Sequence, residues 1–488
     1  MAAIVAATLA LYATVAGYDF VYDDHWTIER NRGLGAPLAR IFHALLYGEG
    51  ARLGLADKTR PTMVLSMWID RRLFGLSPAG FHAHSVLLYV LATVLAWWSL
   101  RILLGRPRAA LLGALFFAAA PLHAEVVACV DYREDLLVAV NGLAVFALFF
   151  ADRRLGAPRP GALEVAAVAI AMLLALGAKE SGLVLPALIA AMAWARKDDL
   201  AFLRRREAFV VAILVTTLAF LNWRIGAPDD VPRAHDPGLA LRALATARYE
   251  VHAVLGAFVP FFWSPERARP PAASAVWLFP FAALVALLLW LRRAPRTRPY
   301  ALALAFALVA PLASCPMALP ANELADRYLF LGVFGGAIAF GTAVDRALEH
   351  VRLVVRRSAA TLAAAVLAVA AGVTLHARAA FRSDEDLWKA AVARAPDSPR
   401  AWTGLSHVRR LQGKLTDADE ADARALALDP SYAPARLTHV YNLLARGDVL
   451  EARAELSALV DEEHIAGLRR ARECAALESS QAQACIGP

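Results

Sequence analysis

Apolar runs close to twenty residues long recur along this chain, separated by short arginine-bearing loops, and that spacing leaves few folds open. A helix needs roughly 20 apolar residues to cross a bilayer, and a soluble core rarely needs runs of that length. The runs fall near 2–20, 80–103, 108–124, 135–151, 161–178, 182–196, 207–223, 273–291, 299–317, 326–344 and 358–376. The expected fold is therefore all-α, a polytopic membrane helix bundle of about eleven spans. Composition points the same way: 59% of residues are AVILMFWYC and 19% are charged, against roughly half and a quarter in soluble domains.

The net charge of +8 resembles a nucleic-acid signal until the cations are placed. Arg101, Arg106 and Arg108, Arg153 and Arg154, Arg196 with Lys197, Arg204 to Arg206, Arg292 to Arg298, and Arg346 to Arg357 sit in loops between runs. Short cytoplasmic loops carry that excess in membrane proteins, so the basic balance reads as topology and no nucleic-acid partner is expected. The first run has no basic region before it and no A-x-A signal after it, so an uncleaved first helix is expected. Segment 242–263 holds Arg242, Arg248, Glu250 and His252 and reads as an interfacial or re-entrant helix on the outer face. The alternate loops then meet on the extracytoplasmic side, together with the tail after 377.

From Ser383 the chain turns polar and repeats with a period of 34: Gly413 matches Gly447 and Ala418 matches Ala452. Trp402, Leu405, Ala421 and Ala425 fall at the packing positions of tetratricopeptide (TPR) pairs, near 398–431 and 432–465. The expected domains are a membrane domain over 1–376, a linker helix over 377–397, and an α-solenoid with a tail over 398–488. Four cysteines, Cys129, Cys315, Cys474 and Cys485, all map to the outer side, where disulfides form. Cys474–Cys485 and Cys129–Cys315 are the possible pairs, with free thiols the alternative; none has the spacing of a zinc site.

Chemistry concentrates at the outer face. Asp23 and Asp24 follow the first run among Tyr18, Phe20, Tyr22 and Trp26, beside His25. Two adjacent carboxylates repel, so one stays ionised as a base while the other takes a proton, a cation or a hydrogen bond; His25 adds a further titratable group. A solvated acidic cap is the plainer reading. The loop from 23 to 79, about 57 residues, is long enough to build a site and holds two amphipathic stretches, LARIFHALLYG and RPTMVLSMWIDRRLFG. PLHAEVVACVDYREDLL supplies His123, Glu125, Asp131, Arg133, Glu134 and Asp135; GAKESG supplies Lys179 and Glu180; ELADRYLF supplies Arg327 and Tyr328. Ionisable groups at membrane depth serve function or mutual pairing. A carboxylate that deprotonates a hydroxyl, with cations that receive a departing phosphate, is what transfer from a lipid-phosphate-sugar requires.

The ordered set YDDHWTIERN, RPTMVLSMWI with GFHAHSVLLYVL, PLHAEVVACVDYREDLL, GAKESG and DRYLFL, followed by the repeats, resembles the transmembrane and TPR repeat-containing (TMTC) O-mannosyltransferases, within the membrane-embedded GT-C class. The resemblance implies an inverting transfer of mannose from a polyprenyl- or dolichyl-phosphate donor to Ser or Thr hydroxyls of extracytoplasmic proteins. It implies catalytic Asp23 and Asp24, with Asp23 the base; donor-phosphate binding by Lys179, Arg327 and Arg133; and support from His25, His123, Glu125, Glu180 and Tyr328. It departs from the family in three ways: only about two repeats, an extra acid in Arg133-Glu134-Asp135, and LGVFGG after RYLF. Rich Arg and Ala usage points to a bacterial inner membrane.

Other readings stay open. The acceptor could be a lipid or envelope glycan, or the chain could be a transporter or a membrane-anchored TPR scaffold. A transporter would show repeated halves with broken helices at midplane, whereas the charges here gather at one face. Asp24, His123 and Glu125 have the ligand types for a divalent metal. The expected partners are the bilayer, the lipid-linked donor and a protein or peptide acceptor in the TPR groove.

Overall fold

The computed structural model describes residues 1–151, 159–198, 200–226, 238–261, 263–267, 274–314, 325–457, 459, 467–477 and 479–485. Among these the secondary structure is helical, with no strand. The chain divides into two units. The first takes the described residues up to Trp263 and again from 274 to Arg382; the second takes 264–267 and those from Ser383 onward.

In the first unit a helix stands at every apolar run. Pro78–Leu104, Glu207–Ile225 and Leu353–Ala379 are long and apolar enough to cross a membrane, and Pro107–Ala118 with Pro121–Ala128 makes a fourth span if its 52° bend lies within one crossing. Shorter apolar helices are Ala2–Gly17, Ala162–Ala178, Ala275–Leu291 and Arg298–Leu312. Runs near 135–151, 182–196 and 326–344 fold as Arg133–Phe150, Leu185–Arg196 and Val333–Leu348. Length alone thus marks three or four spans among the described residues, because a twelve-residue helix such as Arg298–Val309 covers only about 18 Å of a roughly 30 Å core. The outer surfaces fit lipid: Leu278–Leu291 buries none of its residues, and Val211, Leu214 and Leu218 stand exposed in a row of neighbouring turns. The unit is an integral membrane body.

Local chemistry sets the helix ends. Proline occupies the first turn of Pro61–Phe74, Pro78–Leu104 and Pro107–Ala118, where a missing N–H costs nothing. Gly105, in the left-handed region at φ 64°, ends the long helix before it. The bundle closes through small residues: a Cβ on Gly341 would lie 2.2 Å from the Ala109 carbonyl oxygen, and one on Gly113 would lie 2.5 Å from that of Ala337. Backbones of Pro107–Ala118 and Val333–Leu348 approach that closely only because neither residue has a side chain. Segment 242–263 is helical as far as Phe258, within Leu239–Phe258, and buried along one side through Ala245, Val254 and Ala257. A Cβ on Gly336 would meet the Ala257 carbonyl at 2.0 Å, so this helix packs into the bundle rather than lying free on its surface.

In the second unit, Ser383 Oγ accepts from the Asp386 N–H and Ser398 Oγ from the Ala401 N–H, capping Asp384–Arg394 and Pro399–Leu411. Leu415–Leu428, Ala433–Arg446 and Val449–Ser457 follow. Leu405, Ala421 and Ala425 are buried between them. A polar tie crosses this core: Asn442 donates to Asp422 at 2.6 Å and to Ser406 at 3.0 Å. Cys474 and Cys485 are joined as a disulfide with Cα atoms 5.5 Å apart. Cys129 is a buried free thiol, and Cys315 lies outside the described residues.

Candidate active site

The acidic pair sits where the chain leaves its first helix, and the backbone there is unusual. Tyr22 lies in the left-handed region at φ 52°, a conformation that costs a non-glycine residue about 1 kcal/mol or more. The turn sends the two carboxylates into different surroundings. Asp24 is fully buried: Oδ1 accepts the Asp131 N–H at 2.6 Å, and Oδ2 accepts those of Val21 and Val130 at 3.2 and 3.3 Å. The Cys129 thiol approaches Oδ1 at 3.5 Å. Burial outweighs these donors and pushes the Asp24 carboxyl up to about 6. Asp23 stays half-buried, its Oδ2 receiving the Tyr132 hydroxyl at 3.4 Å. Asp24 therefore pins residues 130–131 to the first loop, while Asp23 stays partly exposed.

Around this pair lies a network of charges that are distant in sequence. Arg60, at the head of Pro61–Phe74, pairs with Glu134, with Glu180 at 3.4 Å and with Asp57 at 3.4 Å. Lys179 bridges Glu134 and Asp135 at 2.7 Å each. Burial opposes the ammonium charge, but Asp135 and Glu134 outweigh it and hold the Lys179 pKa above its usual value. Arg224 reaches Glu180 at 3.6 Å. Asp131 leaves Oδ1 buried with no hydrogen-bond partner. Burial, then the neighbouring Asp57 and Glu134, raise its carboxyl well above the usual range.

The third wall is built through His123. Its Nδ1 meets the Tyr89 hydroxyl at 2.8 Å and its Nε2 the Phe330 carbonyl at 3.1 Å. That grip holds the turn before Ala124–Ala128 against the segment after Arg327, and so sets Glu125 beside Arg327. Glu125 takes the Arg327 guanidinium at 2.7 Å and its backbone N–H at 3.1 Å. The guanidinium carbon stands 4.2 Å from the Tyr132 ring centre and 5.0 Å from that of Tyr328, while Lys179 Nζ stands 5.6 Å from the same Tyr328 ring.

Thus Asp23, Asp24, Glu125, Lys179, Glu180, Arg327 and Tyr328 come together, and two expected members stand apart. Arg133 is fully buried: Nε donates to Ser85 at 3.0 Å, Nη1 to Ser66 at 3.0 Å and Asp70 at 2.5 Å, and Nη2 to the Phe81 carbonyl at 2.6 Å. With its donors engaged inside the protein, it is placed to join Pro61–Phe74 to Pro78–Leu104 rather than to meet a phosphate. His25 pairs with Glu29 at 2.5 Å on an exposed face. Arg60 was missed; its signal was the Arg-Pro step opening an amphipathic stretch in a long outer loop. The metal trio Asp24, His123 and Glu125 does not fit an ion, since the polar atoms of all three are occupied by other protein groups. Among the described residues no three His, Cys, Asp or Glu side chains gather as a metal cluster.

No protein-family model matches the chain. It is 35% identical over 164 residues to protein O-mannosyl-transferase TMTC4 of Homo sapiens, covering 30% of this chain and 22% of that protein. It is 34% identical over 133 residues to TMTC1 of Homo sapiens, covering 26% and 15%, and 34% identical over 148 residues to Tmtc2 of Drosophila melanogaster, covering 30% and 16%. Each match spans less than a quarter of the relative's own length. The crystal structure of ArnT from Cupriavidus metallidurans bound to undecaprenyl phosphate aligns with a TM-score of 0.47 and 16% identity, over 92% of this chain and 78% of that one. The chain resembles the TMTC protein O-mannosyltransferases over about 30% of its length.

Proposed function

We propose that this chain is a membrane glycosyltransferase that moves mannose from a polyprenyl-phosphate donor to Ser or Thr hydroxyls of proteins. The observation that carries the reading is Tyr132, which donates to the half-exposed carboxylate of Asp23 at 3.4 Å while its ring lies 4.2 Å from the Arg327 guanidinium, with Lys179 and Arg60 tied into the same cluster through Tyr328 and Glu134. Asp23 takes the proton of the acceptor hydroxyl as its oxygen attacks the sugar's anomeric carbon from the face opposite the phosphate. The anomeric C–O bond to phosphate breaks, and the departing phosphate carries the electron pair toward the three cations. A base in this position contributes typically 10²- to 10⁴-fold, and cations that meet developing charge add a comparable factor. The similarity to named O-mannosyltransferases supports sugar and acceptor.

In this reading the apolar helices form about eleven spans, site and tail face away from the cytoplasm, and the chain sits in a bacterial inner membrane. The helix pairs after Ser398 are TPR units whose groove receives the acceptor peptide. The test is reconstitution of the whole chain in vesicles with polyprenyl-phosphate-mannose and Ser/Thr-rich peptides. Asp23→Asn lowers transfer at least a hundredfold with the melting point kept; full transfer by that variant refutes the base assignment. A wild type that transfers no sugar from any donor but moves a solute supports the transporter instead.

A further inference from the structure

Far from the charged network lies a second concavity that the transfer chemistry does not use. Glu207–Gly226 runs from Arg224, paired with Glu180, back to Glu207, a separation of 17 residues or about 25 Å along the axis. Leu185–Arg196 leaves the same network and ends beside Glu207's end of the bundle. Between these far ends opens a cavity of about 730 Å³. Its walls are apolar, with Ile189, Ala193, Val210, Val211 and Leu214 among them, and Trp194 and Val211 are themselves exposed.

The rim is charged, and its signs do not cancel. Two acids line it, but each has a cation from outside the lining: Asp198 with Arg196 at 3.3 Å, and Glu207 with Arg159 at 3.5 Å. Three lining cations remain: Lys197, Arg204 and Arg292. Arg292 is aimed by its own contacts, its Nε donating to the Trp194 carbonyl at 2.8 Å and its guanidinium lying 4.2 Å from the Trp194 ring centre. Lys197 holds φ 57°, the left-handed position at a helix end where glycine would cost less. An apolar body under a positive rim, at the arginine-rich end of a membrane bundle, matches an amphiphile with an anionic head and hydrocarbon chains.

We propose that this cavity binds one anionic phospholipid, its phosphate on Lys197, Arg204 and Arg292 and its acyl chains against Ile189, Val210 and Leu214. The lipid belongs to the leaflet at the opposite end of the bundle from Asp23. It is a fixed part of the working enzyme, not a donor.

The experiment is native mass spectrometry of the full chain in detergent, with added phosphatidylglycerol, phosphatidylcholine or inorganic phosphate. Phosphatidylglycerol is expected to be retained at least tenfold better than phosphatidylcholine, with a preference that falls as salt rises. Arg204→Gln and Lys197→Gly each lower that retention about fivefold, the equivalent of about 1 kcal/mol per cation near a lipid surface. Lys197→Gly also relieves the left-handed backbone, so loss of lipid with an undiminished melting point separates binding from folding. Asp23→Asn keeps the lipid. Equal retention of the two phospholipids, unchanged retention in both rim variants, or displacement by inorganic phosphate at equal concentration overturns the proposal.

Discussion

Arg133 offers the sharpest separation between a residue that builds the site and one that touches substrate. Arg133→Met removes a fully buried guanidinium and leaves Asp70, itself 1% exposed, with only His84 at 2.6 Å. Breaking a buried ion pair from one side costs about 3–5 kcal/mol, because the remaining charge is stranded. The Phe81 carbonyl and two serine hydroxyls lose partners as well, so a loss near 4 kcal/mol is expected. In thermal unfolding of the detergent-solubilised chain, that is a drop of several degrees. Adding Asp70→Asn removes the stranded charge, and the double variant is then less damaged than the sum of the singles by about 2 kcal/mol. Below its melting range, the Arg133→Met protein keeps the wild-type KM for donor within about twofold, since its donors point into the protein. A variant with an unchanged melting point and a donor KM raised tenfold or more would refute this reasoning and return Arg133 to the phosphate.

Lys179→Met strands the buried Asp135 and leaves Glu134 with Arg60 alone, and it costs about 3–5 kcal/mol in the same unfolding assay, with transfer lost. Asp24 gives a pH signature: its folded value of about 6 exceeds the usual 3.8, so the fold favours the protonated carboxyl. That contribution is fully present below pH 3.8 and is lost as pH rises through 6, roughly 3 kcal/mol in all; Asp24→Asn flattens the melting-point profile between pH 4 and 7. Gly341→Ala forces a methyl group onto the Ala109 carbonyl and lowers the melting point by the equivalent of about 2 kcal/mol; an unchanged value would show that the two helices part easily.

Helix positions were readable because apolar runs declare themselves locally, and the runs at 80–103 and 358–376 reappear within a few residues as Pro78–Leu104 and Leu353–Ala379. Which helices are full spans was not, since the run at 135–151 breaks off in a bend at Ala151 and the α-helix in the run at 299–317 gives way to a tighter turn at Ala310, changes that hydropathy averages over. The acidic pair was visible as a site but not as two different groups. What divides Asp23 from Asp24 is the left-handed Tyr22 and the N–H groups of residues 130–131, about a hundred positions on. Arg133 looked like a phosphate ligand because a sequence shows a cation beside an outer loop, not the Ser66 and Asp70 that enclose it. Arg60 was hidden for the converse reason: nothing near it in the chain reveals that Glu134 and Glu180 wait across the fold.

The network around Asp23 has one consequence for traffic through the site. Arg60, Lys179, Arg224 and Arg327 each already hold a carboxylate, and Glu134 and Glu180 are each shared by two of them. On the proposed transfer, an arriving phosphate finds none of these four cations vacant; it must trade places with an internal anion that stays tethered within reach. In that reaction the same carboxylate would compete for the cation once the sugar has left, favouring release of the spent lipid phosphate. A site wired this way would give up tight capture in return for quick clearance, with its resident acids as the competitors.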